Sequence, residues 1–338
     1  MVLKNISYKQ QKTMLKKKTA LVTGAGGFIG HHLVKFLQEK GYWTRGVDLK
    51  KPEFEKTSAD EFKLLDLREK NNALKAVQDM QYVFNLAANM GGVGFIETVH
   101  AEIMHDNLLI DANMIDSAYT AQAERYFYSS SACIYPINKQ TEVKNNGLKE
   151  HDAYPANPDN EYGWEKILAE RLCLNYHQDY NFEARIARFH NVFGPLGTWQ
   201  GGREKSPAAL CRKIALAKSG DEIEVWGDGK QTRSYCFIND CLEGVYKLMM
   251  SDIHEPLNIG SDKDISINDL IDTIAHIAGK KIKKRYNRQK PQGVRGRNSD
   301  NTLMNKYFHW EPSTSLITGL TETYSWILTQ IQQGKLQK

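Results

Sequence analysis

Apolar and polar residues follow two different periods along most of this chain. Short runs rich in β-branched and aromatic residues are typical of buried strands. We predict strands at residues 19–23, 44–48, 62–67, 82–87, 125–135 and 183–193. Stretches with a helical period lie between these runs and predict helices at 31–40 and 102–119. Strands that alternate with helices predict an α/β fold, in which a doubly wound parallel sheet carries helices on both faces.

The pattern changes in the second half of the chain. Residues 194–206 are rich in Gly and Pro and lack periodicity, so we predict a long functional loop there. Beyond it we predict helices at 240–250, 266–277 and 315–330. A short apolar run at 256–259 predicts a strand that rejoins the sheet.

The composition is that of an ordinary globular protein. The 338 residues are 41% apolar and 25% charged, with a net charge of +5. The one basic run, residues 16–18, has no interleaved aromatic residues, so we expect no nucleic-acid partner. The first residues lack an apolar leader, so we expect no signal peptide. The sequence has no stretch of about 18 apolar residues, so we expect no membrane span. The five cysteines form no CxxC pair; we expect reduced thiols, a cytoplasmic location and no metal.

A glycine-rich turn follows the first predicted strand and opens the first helix. Gly24, Gly27 and Gly30 form the pattern GxxGxxG, which permits a tight turn, lets a pyrophosphate approach the backbone and packs helix against strand. The phosphates would lie at the helix N-terminus, beside Phe28 and Ile29. This context predicts a dinucleotide cofactor.

Acidic residues after the next two strands extend this motif. Asp48 would hydrogen-bond the adenosine ribose and repel a 2′-phosphate, so we expect NAD rather than NADP. Lys50 and Lys51 weaken that preference, because cations there could accept a phosphate. Asp66 is a candidate partner for the adenine amino group. The alternative is a plain turn with a capping Asp; the strand-turn-helix context favours the cofactor.

A candidate redox site follows at Tyr162 and Lys166. Their spacing places them one turn apart on the same face of a helix. The ammonium stabilises the phenolate and lowers the tyrosine pKa, so that Tyr162 can take a proton from a substrate hydroxyl. Ser131, at a predicted strand end, could hold the same hydroxyl. The alternative is an amphipathic surface helix, but the order of glycine turn, Ser and YxxxK favours the redox site.

Several further segments carry a resemblance to a known family. They are residues 89–92 (NMGG), 130–136 (SSACIYP), 188–191 (RFHN), 197–199 (GTW), 201–205 (GGREK), 226–229 (WGDG), 231–233 (QTR) and 293–298 (GVRGRN). From about residue 19 to the last helix, the chain resembles the nucleotide-sugar epimerases and dehydratases of the extended short-chain dehydrogenase/reductase family. Within that family, it is most similar to the branch that inverts C3 and C5 of GDP-mannose.

The resemblance implies an organisation and partners for the chain. Residues 1–18 are polar and are expected to be a flexible arm, and the resemblance makes 19–190 an NAD-binding Rossmann domain to which 235–262 return. Residues 191–234 and 263–338 would form a smaller lobe that binds the nucleotide sugar. The expected cofactor is NAD, the expected substrate is a GDP-sugar, and the expected assembly is a homodimer through helices that flank the sheet.

The resemblance also implies the chemistry. Oxidation at C4 gives a ketone, which acidifies the hydrogens on C3 and C5. The 4,6-dehydratases of the family carry an Asp-Glu pair where this chain has Ala132 and Cys133. Cys133 lies two residues past Ser131, so on a continuing strand the two side chains point the same way. The resemblance makes Cys133 the carbon base and Lys205 the acid on the opposite face; a buried apolar thiol and a solvated lysine are the alternatives.

The remaining expected site residues bind the substrate. Asn191 and Arg233 would hold the diphosphate, with charge added by Lys213 and Arg297. Gln231 and the loop at Trp226 would frame the nucleotide. The complete expected set is Gly91, Ser131, Ala132, Cys133, Asn191, Glu204, Lys205, Ser206, Lys213, Gln231, Thr232, Arg233 and Arg297.

The expected reaction converts GDP-mannose into GDP-L-galactose, with GDP-L-gulose from inversion at C5 alone. Two alternatives stay open at this point. One is an epimerase for another GDP-sugar, such as a GDP-heptose, and the other is a non-catalytic binding protein with the same fold.

Overall fold

The computed structural model describes residues 17–337. Most of the predicted N-terminal arm, including Lys16 of the basic run, therefore lies outside the described residues. Lys17 and Lys18 are exposed and lead directly into the first strand. Among the helices of residues 17–337, none is both long enough and apolar enough to cross a membrane.

Strands and helices alternate through the first half of the chain. Within the described residues, the strands are β1 (Thr19–Thr23), β2 (Trp43–Asp48), β3 (Glu61–Leu64), β4 (Tyr82–Asn85), β5 (Arg125–Ser131), β6 (Ala184–Phe189), β7 (Val192–Phe193), β8 (Glu222–Trp226), β9 (Thr232–Ser234), β10 (Cys236–Phe237), β11 (Leu257–Ile259), β12 (Asp264–Ser266), β13 (Lys283–Asn287) and β14 (Gly296–Arg297). Over the same residues, the α-helices are α1 (Phe28–Glu39), α2 (Lys70–Val77), α3 (Val93–Ile96), α4 (Ala101–Thr120), α5 (Glu161–Tyr180), α6 (Ser206–Leu216), α7 (Ile238–Met249), α8 (Ile267–Ile277), α9 (Thr302–Phe308) and α10 (Leu316–Gln332).

Seven parallel strands form the main sheet in the order β3-β2-β1-β4-β5-β6-β11. The chain therefore builds outward from β1 in one direction and then from β4 in the other. The switch point lies between the carboxyl ends of β1 and β4, where folds of this kind bind their ligands. The shorter strands form small separate sheets, β10-β7, β12-β9-β14 and β13-β8.

Alternate residues of the central strands pack into two different cores. Ala20 and Val22 of β1 belong to a core that includes buried residues of α1 and α7, whereas Leu21 belongs to a core with α2, α4 and α5. The tyrosine and phenylalanine neighbours in β5 alternate in the same way: Phe127 faces the first core, and Tyr126 faces the second. Helices thus cover both faces of the sheet, which confirms the predicted α/β fold.

Four predicted strands end earlier than the sequence pattern indicated, and those predicted to reach residues 67 and 87 stop at Leu64 and Asn85. The strand predicted to reach residue 135 stops at Ser131, because Ala132–Ile134 form a 3₁₀ turn that the Ser131 side chain caps. The strand predicted over 183–193 is interrupted at Asn191, which has a φ of +43°. Apolar runs continue through both interruptions, so periodicity alone did not show them.

A buried ion pair joins the sheet to α5. Arg188 of β6 donates to both carboxylate oxygens of Glu170, at 2.9 Å and 2.7 Å. The two side chains are 2% and 1% exposed. Because α5 also carries Tyr162, this pair fixes the helix of the candidate redox site against the sheet.

Glu170→Leu should lower the free energy of unfolding by about 3 to 5 kcal/mol, because it leaves a buried guanidinium without its counter-ion. Urea unfolding followed by circular dichroism measures the change. The matched control is Asp272→Asn, which removes an ion pair with Lys284 whose acid is 63% exposed and should cost less than about 1 kcal/mol. Equal losses in the two variants would contradict the assigned role of burial.

Candidate active site

A cavity of about 440 Å³ lies beside the carboxyl ends of β5 and β6. Ser131 and Phe189, the last residues of these strands, form part of its wall. The rest of the wall comes from the segment around α3, the start of α5, the loop before α6, and the segments around β8, β9 and β14. This cavity contains most of the residues expected to bind the substrate.

The glycine-rich turn is built by close backbone packing. Gly24 has a φ of +67°, and a Cβ on Gly30 would lie 2.2 Å from the Gly24 carbonyl oxygen. Gly26 was missed by the predicted spacing, yet a Cβ there would lie 2.1 Å from the Lys50 carbonyl oxygen. Within the described residues, no side chain caps the N-terminus of α1. Its first-turn amides are available to an anion, so the turn fits a dinucleotide pyrophosphate.

Asp48 lies directly beside this turn. Its carboxylate accepts the Gly26 N–H at 2.9 Å and the Lys50 N–H at 3.1 Å. This position fits a residue that binds the ribose of a dinucleotide. The Asp66 carboxylate is instead paired with Arg68, whose Nη2 lies 2.6 Å away, so its expected contact with adenine stays a prediction.

Tyr162 and Lys166 lie one turn apart on α5, as the spacing predicted. The Lys166 ammonium is 5.6 Å from the centre of the Tyr162 ring. Lys166 is only 1% exposed, and its Nζ lies 3.5 Å from Asp111 and 3.7 Å from Glu165. Neither acid was anticipated from the sequence, although each balances a charge that is costly to bury alone.

A chain of buried hydrogen bonds connects Lys166 and its two acids to the glycine-rich turn. Asp111 accepts from Tyr128 at 2.8 Å and from Asn85 at 2.9 Å. The Thr23 hydroxyl in turn donates to Asn85 at 2.8 Å. Thr23 ends β1 and Asn85 ends β4, so the network crosses the switch point of the sheet.

Burial controls the acid-base properties of this region. It raises the pKa of Tyr162 above its ordinary value, and Lys166 opposes this effect without cancelling it. The sequence argument had the correct sign for Lys166 but missed the larger effect of burial. Burial also raises the pKa of Glu165 to about 8, again against the influence of Lys166.

Cys133 reaches the cavity from a turn and not from a strand, which corrects the prediction. Its amide donates to the Ser131 hydroxyl at 3.1 Å. A Cβ on Gly163 would lie 2.2 Å from the Cys133 carbonyl oxygen, so this glycine lets the turn pack directly against α5. The Cys133 thiol receives a hydrogen bond from Arg297 Nη1 at 3.2 Å.

Lys205 enters the cavity from the loop before α6. This loop packs against Gly92, where a Cβ would lie 2.3 Å from the Glu204 carbonyl oxygen. Glu204 is held by an ion pair with Arg212 at 2.7 Å. Burial lowers the pKa of Lys205, and Cys133 is among the groups that oppose this shift.

Two arginines lie next to each other in the wall of the cavity. Arg233 and Arg297 are directly paired in register between β9 and β14. Burial, and then the charge of Arg297, lower the pKa of Arg233 to about 10. Beside them the Gln231 side chain is 5% exposed, and within the described residues its Oε1 has no hydrogen-bond partner. This wall can therefore receive an anion and a hydrogen-bond donor.

The cavity brings together nearly all of the expected substrate residues. Thr232 is the exception: its hydroxyl donates to the Val143 carbonyl at 2.7 Å, and it does not line the cavity. Asp159 and Asn160 do line it but were missed. Their place immediately before the YxxxK helix was a usable signal. The expected residues in the wall are Gly91, Ser131, Ala132, Cys133, Asn191, Glu204, Lys205, Ser206, Lys213, Gln231, Arg233 and Arg297.

One group of side chains in residues 17–337 has the spacing of metal ligands: His177, Glu183 and His254. Arg185 already contacts it, with Nη2 2.5 Å from Glu183 and Nη1 3.0 Å from His254 Nδ1. The positively charged Arg185 guanidinium thus competes with a metal ion for these atoms. The expected absence of a metal stays a prediction.

The order of the sheet, the glycine turn at its switch point and the Tyr162–Lys166 pair define a class of protein: dinucleotide-dependent enzymes with the extended short-chain dehydrogenase fold. The chain belongs to the NAD dependent epimerase/dehydratase family, whose model matches residues 20–260. This confirms the resemblance inferred from the sequence.

Curated relatives narrow the comparison within this family. The chain is 49% identical over 316 residues to GDP-mannose 3,5-epimerase of Arabidopsis thaliana, with 93% of this chain and 83% of the relative covered. It is 48% identical over 318 residues to GDP-mannose 3,5-epimerase 1 of Oryza sativa subsp. indica, covering 94% and 83%. GDP-L-fucose synthase of Escherichia coli is more distant, at 26% over 326 residues, covering 93% and 98%.

Solved structures agree on the fold. UDP-glucose 4-epimerase of Thermotoga maritima superposes with a TM-score of 0.83 at 24% identity, covering 93% of this chain and 99% of that one. A GDP-6-OMe-4-keto-L-xylo-heptose reductase from C. jejuni gives a TM-score of 0.81 at 21% identity, covering 93% and 98%. At these identities the likeness concerns the fold alone.

Proposed function

We propose that this chain is an NAD-dependent epimerase that converts GDP-mannose into GDP-L-galactose, and into GDP-L-gulose when C5 alone is inverted. The observation that carries the proposal is that Cys133 and Lys205 line the same cavity as Tyr162. The names of relatives 48% and 49% identical to the chain support the substrate. A GDP-heptose epimerase has weaker support, because these relatives are named for GDP-mannose. The buried Tyr162–Lys166 pair argues against a non-catalytic protein.

The first step is oxidation at C4. Tyr162, as phenolate, takes the proton of the C4 hydroxyl, which Ser131 also hydrogen-bonds. Lys166 stabilises the negative charge on Tyr162, and the acids behind it, Asp111 and Glu165, hold the ammonium in place. The glycine-rich turn would hold NAD, which would supply an acceptor for the C4 hydride and give the same hydride back, so the reaction would have no net redox change.

The second step is inversion next to the ketone. Cys133 removes a proton from carbon, the electron pair moves into the enolate, and Lys205 returns a proton to the opposite face. The same exchange at C3 and C5 inverts both centres. Arg233 and Arg297, with Lys213 and Asn191, bind the diphosphate, and Gln231 and Trp226 frame the nucleotide.

Asp48→Asn should reduce the preference for NADH over NADPH by about tenfold, equivalent to about 1.4 kcal/mol. The amide keeps an acceptor for the Gly26 N–H, so the substitution isolates the lost charge. Fluorescence titration with the two reduced cofactors measures both dissociation constants. An unmodified protein that binds NADPH as tightly as NADH would show that Asp48 does not select the cofactor.

In deuterated water with GDP-mannose, the unmodified enzyme should introduce deuterium at C3 and C5, as followed by proton NMR. Cys133→Ala should slow inversion by about 10² to 10⁴ because it removes the carbon base. Lys205→Ala keeps that base, so exchange at C5 should continue while inversion is lost.

Two control variants complete this experiment. Tyr162→Phe should stop all exchange, because no ketone forms. Lys218→Ala changes an exposed lysine beyond α6 and should leave the reaction unchanged. Inversion at a near-normal rate in Cys133→Ala would rule out the proposed base and leave simple C4 chemistry.

We also propose that the enzyme is a homodimer through α4 and α5. Trp164 and Leu168 lie one turn apart on α5 and are 42% and 55% exposed, and Leu109 of α4 is 38% exposed. Apolar side chains grouped on two neighbouring helices are typical of a protein interface.

We also propose a cytoplasmic location. All five cysteines lie in the described residues as free thiols, which supports this location.

Leu168→Asp should convert the dimer to a monomer at micromolar concentration, because a carboxylate would be buried without a partner. Size-exclusion chromatography with light scattering should then report half of the unmodified mass. Ile317→Asp is the matched control, since Ile317 is 60% exposed on α10, away from this surface. A monomeric unmodified protein would exclude the dimer.

A further inference from the structure

Arg297 makes a direct contact with the one cysteine that faces the cavity. Its Nη1 donates to the Cys133 thiol at 3.2 Å, and its Nη2 lies 3.3 Å from the Asp159 carboxylate. Arg297 is only 7% exposed. Burial works against its charged form, but Cys133 and Asp159 outweigh this effect and raise the pKa of Arg297. The guanidinium is therefore a cation held against sulfur, and only part of it faces the cavity.

Gln140 holds both partners of this contact. Its Oε1 accepts from Arg297 Nε, and its Nε2 donates to the Tyr135 carbonyl at 2.9 Å, just after the Cys133 turn. Its own carbonyl accepts the Arg295 N–H at 2.9 Å, which anchors the segment that leads to Arg297. The Gln140 side chain is 1% exposed and carries no charge. A single amide thus fixes the sulfur and the guanidinium relative to each other.

The charges around the thiol are predominantly positive. Arg297 and Arg233 face it from β14 and β9, and Lys205 faces it from the loop before α6. Tyr162 faces the thiol from α5 with its phenol group, whose pKa burial raises. Asp159 is the acid that approaches Arg297 from the segment before α5. Of these cations, Arg297 is the one hydrogen-bonded to sulfur.

We propose that Arg297 stabilises the thiolate of Cys133, and that Gln140 is a positioning residue that holds Arg297 in place for it. A thiolate, and not a thiol, is the form able to remove a proton from carbon, and an adjacent cation increases its population. This inference rests on the proposed role of Cys133 as the carbon base. It gives Arg297 a task besides binding the diphosphate.

Alkylation of Cys133 by iodoacetamide, followed by mass spectrometry across about pH 6 to 10, reports the thiolate population directly. The other four cysteines are buried, so the reaction is selective. Arg297→Met should move the midpoint of the rate profile up by about one pH unit, a tenfold slower reaction near neutral pH. Gln140→Met should move it in the same direction by a smaller amount, although no charge is removed. Arg297→Lys should restore part of the loss.

Arg295→Met is the matched control, because Arg295 lies on the same segment but pairs with Asp228. Its midpoint should stay that of the unmodified protein. An unchanged midpoint in Arg297→Met, or an equal shift in Arg295→Met, would overturn the proposal. An unchanged midpoint in Gln140→Met would overturn its positioning role alone. If Arg297→Met does not fold, Arg297→Lys must itself raise the midpoint, since an ammonium cannot keep all three contacts.

The assay needs neither sugar nor cofactor, so its result is independent of the proposed reaction. A shifted midpoint in a protein without deuterium exchange would retain the Arg297–Cys133 coupling and reject the epimerase. Normal deuterium exchange together with an unshifted midpoint would retain the epimerase and reject the Arg297–Cys133 coupling.

Discussion

The ammonium of Lys166 is buried, and the arrangement of the site depends on balancing its charge. A buried ion is stable only when counter-charges and hydrogen bonds replace water. Asp111 and Glu165 provide the charges, and Asp111 is itself held by Tyr128 and Asn85. Through Asn85 the network reaches Thr23 at the end of β1. The Tyr162–Lys166 pair and the glycine-rich turn are consequently parts of one buried polar structure and are fixed relative to each other.

A second constraint is close backbone packing, which places the two candidate proton carriers. Gly163 lets the Cys133 turn lie against α5, and Gly92 lets the Lys205 loop lie against the segment before α3. In both places a Cβ would overlap a carbonyl oxygen. Loops are ordinarily more mobile than the elements they join. Packing at these glycines gives two loops the fixed position that proton transfer at a defined carbon requires.

The sequence predicted what depends on local pattern. Alternating apolar residues located the central strands, and the spacing of Tyr162 and Lys166 placed them on one helix face. The pattern failed at residues 132–134 and at Asn191, where a side-chain cap and a positive φ end strands within apolar runs. It also missed Asp111, Gln140 and Gly163, whose roles arise from partners distant in the chain. The periodicity of a sequence carries no information about contacts between distant residues. The YxxxK motif lies within one helical turn, so its spacing alone reveals it.

The cavity wall sets a requirement on whatever binds there. Arg233 is half-buried beside Arg297, and desolvation together with this like charge lowers its pKa to about 10. The Asp159 carboxylate pairs with Arg297 and not with Arg233. Leaving one buried and one half-buried cation with a single carboxylate costs stability, and an anion relieves that cost when it binds. A diphosphate fits this requirement, and so does a thiolate at Cys133. The same positive wall that attracts the nucleotide sugar therefore also favours the charged form of the residue proposed to act on its sugar ring.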